Sequence, residues 1–180
     1  MARACLRGGA RLLQLRCKED GPAAFLELAD ALVAEARRSG AGIVVNDRAD
    51  IARMCGAAGV HVGQDDLPVL EVRRLLDPEA IVGVSTHDAA QVDSALAGPA
   101  TYIAVGPVYG TATKDTGYTP RGLDLVRYAA GRGKPVVAIG GITLERGPEV
   151  LASGASSLAV ITDLLAGDPE ARVRAFLGLS

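Results

Sequence analysis

The chain has 180 residues, of which 49% are hydrophobic, and a formal net charge of -2. This length predicts a single domain over residues 1–180 with a real core, and the balanced charge gives no sign of a surface for nucleic acid or a membrane. Three cysteines without C-x-x-C spacing indicate a reducing compartment and no structural zinc, so we expect a cytoplasmic protein. The basic N-terminus resembles a transit peptide only weakly, because it is poor in serine and residues 12–15 fit a strand better.

Short apolar runs alternate with amphipathic helical patterns along the whole chain. The apolar runs predict strands at residues 12–15, 43–45, 60–62, 81–84, 102–105, 135–139 and 157–160. The helical patterns fall at residues 23–38, 50–55, 69–76, 89–96, 123–130, 144–153 and 170–177. Seven such units, with strands built almost entirely from Val, Ile, Leu and Ala, predict a parallel sheet covered by helices.

Two architectures fit this pattern: an open doubly wound sheet and a TIM (β/α)₈ barrel. No G-x-G-x-x-G motif opens the chain, which argues against a dinucleotide-binding sheet. Polar residues and glycines follow nearly every strand, as they do where a barrel builds its site at the C-terminal face. We therefore expect an α/β TIM barrel, although the sequence provides seven strands and a complete barrel has eight.

The longest loop, residues 106–118, directly follows the predicted strand 102–105. Its glycines and proline prevent a strand or helix from continuing, and a loop of this length usually serves binding. Thr111 and Thr113 supply hydroxyl groups and Lys114 supplies an ammonium group, which are the groups that a phosphate or diphosphate needs. The alternative is a solvated surface loop with an isolated lysine.

Two carboxylates, Asp47 and Asp66, come just past the ends of consecutive strands. Adjacent parallel strands lie about 4.8 Å apart, so both carboxylates can reach one cation above the sheet. Two carboxylates that leave room for water and a substrate phosphate favour Mg²⁺ over Ca²⁺. The alternative is that either carboxylate caps the next helix, for which Asp66 is well placed before Leu67 and Pro68.

Two anion sites are predicted at the same end of the sheet. Arg16 and Lys18 emerge from the first strand and, with Lys114 and a magnesium ion, would suit a diphosphate. Residues 140–141 and 161–162 offer backbone N–H groups for a second, smaller anion. The alternative for residues 140–141 is a tight turn between strand and helix.

The remaining reactive side chains are weaker candidates. His61 lies within a strand, where a histidine is more often packed or hydrogen-bonded than catalytic, and His87 would either touch substrate or cap a helix. The three cysteines have no base nearby in sequence, so we assign them no nucleophilic role.

Taken together, these segments resemble the thiamine-phosphate synthase family. The matching pieces are QLRCK at 14–18, NDR at 46–48, VHVGQDD at 60–66, GVSTH at 83–87, GPVYGTATK at 106–114, AIGGI at 138–142 and VIT at 160–162. Each piece is weak alone, but seven in the family's order, spanning residues 12–165, are specific.

The resemblance implies a (β/α)₈ barrel that joins a hydroxymethylpyrimidine diphosphate to a thiazole phosphate and releases pyrophosphate. It implies that Asp47 and Asp66 hold Mg²⁺. The resemblance also implies that the pyrimidine and its diphosphate are bound by Gln14, Arg16, Lys18, Asn46, Ser85 and Lys114. Four of these residues are the catalytic candidates: Arg16, Lys18, Ser85 and Lys114. It implies that the thiazole phosphate is bound by Thr111, Thr113, Gly141, Ile161 and Thr162. The implied reaction is dissociative: pyrophosphate leaves, and the thiazole nitrogen captures the pyrimidine-stabilised cation.

One departure from the family concerns the N-terminus. The family has a further strand and most of a helix before the QLRCK strand, whereas this chain begins about a dozen residues ahead of it. The uncounted strand is therefore the first. Three explanations fit: the gene start is misassigned, the chain has been trimmed, or the barrel is open and closed by a partner, which includes a homo-oligomer. We expect marginal stability for the monomer in this form.

Two other functions compete with the synthase. A thiazole tautomerase of the same superfamily handles only the thiazole phosphate, so it has no need of Asp47, Asp66, Arg16, Lys18 and Lys114 together. A non-catalytic phosphate or thiamine-precursor binding protein would hold ligand without turnover. Asp47→Ala separates them, because only the synthase loses its activity.

Overall fold

The computed structural model describes residues 1–110 and 119–179, in which seven parallel strands form one sheet in chain order, β1 to β7. The strands are β1 Leu12–Leu15, β2 Gly42–Asn46, β3 Gly59–Val62, β4 Ile81–Thr86, β5 Tyr102–Val105, β6 Val136–Ile139 and β7 Ser157–Ala159. The helices are α1 Ala2–Arg7, α2 Pro22–Arg38, α3 Ala49–Met54, α4 Val69–Leu75, α5 Ala89–Ala97, α6 Gly122–Ala129, α7 Gly147–Ala152 and α8 Pro169–Leu177, with a 3₁₀ helix at Thr162–Leu165. Strands and helices alternate as in a TIM barrel, and the curled sheet of the described residues has seven strands, one fewer than a closed barrel.

The helices form where the sequence supplies an apolar face and end signals. In α2 the buried residues are Phe25, Ala29, Val33 and Ala36, which follow helical spacing along one face. Pro22 occupies the first turn, where its missing N–H costs no helical hydrogen bond. In the described residues none of the helices is long and apolar enough to cross a membrane.

The two faces of the sheet differ in burial. One face packs under the helices and contributes Val45, Val60, Val62 and Val82, all fully buried. The opposite, interior face includes Leu12 of the edge strand β1, which is 46% exposed. This exposure follows from the strand order, because no strand of the described residues lies between β1 and β7. The interior is therefore open along one side.

Two helices pack together on the outside of the sheet, next to its open side between β1 and β7. α1 precedes β1 and packs against α8, which follows β7. Arg7 donates to a carboxylate oxygen of Glu170 over 2.8 Å. A Cβ atom at Gly8 would lie 2.8 Å from Val173 Cβ, so glycine is required for this close approach.

The sequence placed all seven strands and missed two short helices. Neither α1 nor the 3₁₀ helix was predicted, and α7 begins at Gly147 rather than at residue 144. β4 extends to Thr86, so Ser85 belongs to the strand rather than to the loop after it. This extension matters for the site because it fixes the Ser85 side chain on a rigid element.

Candidate active site

The residues that the sequence predicted for the site gather at the carboxyl ends of the strands. Asn46 is the last residue of β2, and Ser85 is the second-last residue of β4. Gly141 follows β6, while Ile161 and Thr162 follow β7. Because all seven strands are parallel, these residues lie along one rim of the sheet.

The predicted diphosphate cations divide between described and undescribed parts of the chain. Gln14 lies in β1, and Arg16 and Lys18 follow that strand; all three side chains are exposed. Thr111, Thr113 and Lys114 lie outside the described residues. The exposed cations stand at the open side of the sheet, where an anionic substrate can approach.

Asp47 lies in an unusual backbone conformation. Its φ is 64°, and among the described residues no other non-glycine residue has a positive φ. The N–H of Arg48 donates to the carbonyl of Asn46 over 2.8 Å, which closes a three-residue γ-turn around Asp47. The Asp47 N–H donates to the His61 carbonyl over 2.8 Å, which fixes the turn to β3. Strained turns of this kind cluster at functional sites, where the geometry of one side chain matters.

Arg48 does not add a cation to the rim. Its guanidinium binds both carboxylate oxygens of Asp50 over 2.8 and 2.6 Å. The hydrogen bond from Arg48 lowers the pKa of Asp50. The pair therefore belongs to the first turn of α3.

Asp66 closes its own loop. Its Oδ2 atom accepts the Gly63 N–H over 2.7 Å. The alternative that Asp66 caps α4 is wrong, because the N-cap of α4 is Pro68 and no side-chain hydrogen bond caps that helix. This hydrogen bond uses one carboxylate oxygen and orients the group. The second oxygen, Oδ1, has the chemistry of a ligand for a cation.

A polar row crosses the interior face of three strands. His61 of β3 pairs in register with Gly83 of β4, which pairs with Tyr102 of β5. The Tyr102 ring reaches across Gly83 and stacks on the His61 ring at 5.6 Å between centroids. His61 Nδ1 lies 2.8 Å from Tyr102 Oη, and His61 Nε2 lies 2.8 Å from Ser85 Oγ. His61 is thus a hydrogen-bonded core histidine, as the sequence predicted.

Tyr102 is a member of this row that the sequence did not reveal. Its position as the first residue of a strand carries no chemical signal, and its neighbours become known only from the register of β3, β4 and β5. Burial raises the pKa of Tyr102 to about 12. The phenol therefore keeps its proton at neutral pH.

His87 holds the start of the long loop. Its Nδ1 atom lies 2.6 Å from the Gly106 carbonyl oxygen. The alternative that His87 caps α5 is wrong, because Asp88 does so by accepting the Gln91 N–H over 2.8 Å. The His87 ring therefore ties β4 to the residues that lead into the loop.

Three side chains join the loop after β5 to the turn after β6. They belong to Tyr109, Arg146 and Glu149, and we call them the clasp. The Arg146 guanidinium lies 4.5 Å from the Tyr109 ring centroid and donates to the Gly141 carbonyl over 2.8 Å. The Tyr109 hydroxyl donates to Glu149. A Cβ atom at Gly141, where φ is +62°, would lie 2.5 Å from the Gly110 carbonyl oxygen, so the loop and the turn touch through backbone.

Comparison with known proteins identifies the family. The family model described as thiamine monophosphate synthase matches residues 1–164. The chain belongs to this family. The thiamine-phosphate synthase of Roseiflexus sp. (strain RS-1) is 43% identical over 96% of the chain and 74% of that protein. That of Mycobacterium sp. (strain JLS) is 47% identical over 96% of the chain and 81% of that protein.

The fold agrees with the same family. The solved structure of thiamine phosphate pyrophosphorylase from Pyrococcus furiosus matches with a TM-score of 0.91 and 29% identity. The match covers 99% of the chain and 86% of the Pyrococcus protein. The chain is therefore an enzyme of thiamine biosynthesis, a transferase that condenses 4-amino-2-methyl-5-(diphosphooxymethyl)pyrimidine with thiazole phosphate to give thiamine phosphate and pyrophosphate. Its substrates are small molecules.

The three cysteines are buried or half-buried. All three are free thiols, and burial raises the pKa of Cys5, Cys17 and Cys55. A raised pKa lowers the fraction of reactive thiolate at neutral pH. That the chain uses no cysteine nucleophile stays a prediction.

A cavity of about 280 Å³ adjoins the rim, but it belongs to the helix layer. Val62, Val84 and Ala95 line it, and the two valines point away from the interior face that carries His61 and Ser85. Asp66 borders this cavity. The cavity therefore lies on the other side of the sheet from the interior face that carries His61 and Ser85.

Proposed function

We propose that the condensation proceeds by magnesium-assisted, dissociative loss of pyrophosphate at the rim, with Asp47 and Asp66 as the metal ligands. No group of three or more His, Cys, Asp or Glu side chains within residues 1–110 and 119–179 is placed to hold a metal. Two carboxylates suit Mg²⁺, which usually keeps several waters and takes its other ligands from substrate phosphates. The observation that carries the proposal is the γ-turn that holds Asp47 at the end of β2, next to the strand that leads to Asp66.

When bound, Mg²⁺ would neutralise charge on the departing diphosphate. The side chains proposed for the same anion are Arg16, Lys18, Ser85 and Lys114, with Gln14 and Asn46 holding the pyrimidine. The C–O bond to the diphosphate breaks and its electron pair leaves with the diphosphate oxygen. The thiazole nitrogen then gives its lone pair to the methylene carbon, which forms the new C–N bond. This sequence needs stabilisation of negative charge rather than a general acid and base.

The thiazole phosphate is proposed to bind at the far side of the rim, on Thr111, Thr113, Gly141, Ile161 and Thr162. Gly140 and Gly141 have φ values of +103° and +62°, and this turn is held by Arg146. Backbone N–H groups of such turns form concave sites for anions. The two substrates would therefore approach each other across the interior face.

Further properties are proposed on less direct grounds. Three free cysteines support a cytoplasmic location, where thiols stay reduced. The exposed edge strands β1 and β7 support a homo-oligomer, because unpaired sheet edges favour association. We propose that residues 1–180 act as one domain.

The test is thiamine phosphate formation from both substrates, with Mg²⁺ and after metal removal by a chelator. We expect magnesium-dependent product from the native chain. Asp47→Ala and Asp66→Ala should each lower kcat/KM about 100-fold or more. Asp65→Ala is the matched control, because Asp65 adjoins Asp66 in the same loop, is exposed and has no proposed role.

Each competing function gives a different result. Equal product formation with and without chelator would reject the magnesium proposal. Thiazole isomerisation that survives Asp47→Ala, without condensation, would favour a tautomerase. Ligand binding without any turnover in folded protein would favour a non-catalytic binder.

A further inference from the structure

The row of Tyr102, His61 and Ser85 contains two hydroxyl groups and one imidazole, so the direction of its hydrogen bonds has chemical consequences. His61 is 7% exposed and its two ring nitrogens each lie 2.8 Å from a hydroxyl oxygen. A neutral imidazole donates from one nitrogen and accepts at the other. Two arrangements are therefore open: Nε2–H toward Ser85, or Nδ1–H toward Tyr102.

The phenol decides between them. With its pKa raised to about 12 by burial, Tyr102 keeps a proton that needs an acceptor. In the described part of the chain, His61 Nδ1 is the hydrogen-bond partner of Tyr102 Oη. If Nδ1 carried the imidazole proton, as in the other tautomer, the phenolic O–H would lose this acceptor and be left unsatisfied. The favoured arrangement is Tyr102 O–H to Nδ1 and Nε2–H to Ser85 Oγ.

This arrangement frees the Ser85 proton. A serine hydroxyl has one proton and two lone pairs, and one lone pair accepts Nε2–H. Ser85 is held on β4, and its backbone carbonyl also accepts the Gln64 side-chain amide over 2.5 Å. The hydroxyl proton is then directed to an acceptor other than His61.

We propose that Tyr102 and His61 are positioning residues that orient Ser85 as a hydrogen-bond donor to the diphosphate of the pyrimidine substrate. The inference rests on the proposed diphosphate role of Ser85. Negative charge grows on the diphosphate as the C–O bond breaks, so a donor fixed in this direction strengthens its hydrogen bond in the transition state. In the reversed tautomer, the Ser85 hydroxyl would donate its hydrogen bond to His61 Nε2 and would offer only lone pairs to an anion.

The tautomer is measured directly by long-range ¹H–¹⁵N correlation NMR on protein labelled in its histidines. The chain contains two histidines, so the spectrum is simple, and His61→Gln assigns the signals. We expect Nε2–H for His61 in the native protein and a mixture of tautomers in Tyr102→Phe. A native protein with Nδ1–H, or with an imidazolium at neutral pH, overturns the inference.

The functional part is tested with a double-mutant cycle. Tyr102→Phe should lower kcat about tenfold, the value of one hydrogen bond of about 1.4 kcal/mol, and leave the KM for thiazole phosphate unchanged. In a Ser85→Ala background the same change should have no further effect, since both act through one hydroxyl. Tyr128→Phe, on the exposed surface of α6, is the control and should leave kcat unchanged.

The outcomes separate this inference from the proposed function. Additive losses in Tyr102→Phe and Ser85→Ala, or a normal kcat in Tyr102→Phe, reject the positioning role while the Ser85 role stands. A normal kcat in Ser85→Ala rejects both. A lower melting temperature with unchanged kcat in Tyr102→Phe shows a structural role alone and also rejects the inference.

Discussion

Gly83→Ala tests the polar row at its narrowest point. Gly83 lies between His61 and Tyr102 in the register of the sheet. A Cβ atom there would lie 2.5 Å from Tyr102 Cε1 and closer still to Cζ and Oη, whereas real Cβ contacts essentially never fall below 3.0 Å. Gly83 does not have a positive φ, so its backbone accepts alanine and the conflict is with the ring.

The size of the effect follows from this geometry. The Tyr102 ring has to move by about 1 Å, which stretches its 2.8 Å hydrogen bond to His61 beyond bonding distance. Overpacking costs about 1–3 kcal/mol and the lost hydrogen bond about 1 kcal/mol. We expect the free energy of unfolding to fall by about 3 kcal/mol and the melting temperature by about 6–12 °C.

The assay is thermal and urea unfolding of four proteins: native, Gly83→Ala, Tyr102→Ala and the double variant. With the ring absent, alanine at position 83 should be neutral or stabilise by about 0.5–1 kcal/mol, because glycine in a strand is entropically costly. The two changes should therefore be strongly non-additive. If Gly83→Ala destabilises the Tyr102→Ala protein as much as the native one, the ring is not the cause and the argument fails.

Two further predictions concern the turns after β6 and β7. Asp163 accepts the Leu144 N–H over 3.0 Å and pairs with Arg172. Asp163→Ala should lower the free energy of unfolding by about 2 kcal/mol and the melting temperature by about 4–8 °C. Asp124→Ala, which breaks an exposed ion pair, is the control and should leave the melting temperature unchanged. Equal losses of melting temperature in the two variants would refute this prediction. Arg146→Ala removes the guanidinium from Gly141 and should raise the KM for thiazole phosphate about tenfold, while the KM for the pyrimidine substrate stays constant; an equal rise in both KM values would contradict a local role.

The pattern of the sequence was sufficient for the strands and for their common rim. Continuous apolar runs such as residues 102–105 coincide with β5, because a strand covered by helices leaves little room for polar residues. The position of Asp47 followed from the same reasoning, since it directly follows a strand, while its role as a metal ligand stays a prediction. Both features depend only on residues that are close together in the sequence.

The clasp and the polar row could not be found in that way. Tyr109 and Arg146 are 37 positions apart and meet only because the loop after β5 packs on the turn after β6. α1 was missed for a related reason: a six-residue helix is too short for its own periodicity to stand out, and contacts with α8 hold it in place.

The open side of the sheet connects the fold to its expected stability. In a closed barrel each interior residue is covered by neighbours on both sides. Leu12 on the edge strand β1 is 46% exposed, whereas Val44, on the same face of β2, is buried. A leucine left about half exposed forgoes roughly 1 kcal/mol of the burial energy that a closed interior would provide. The polar row lies on β3, β4 and β5, away from both edges. The polar row can therefore keep its geometry while the edges of the sheet remain its weakest part.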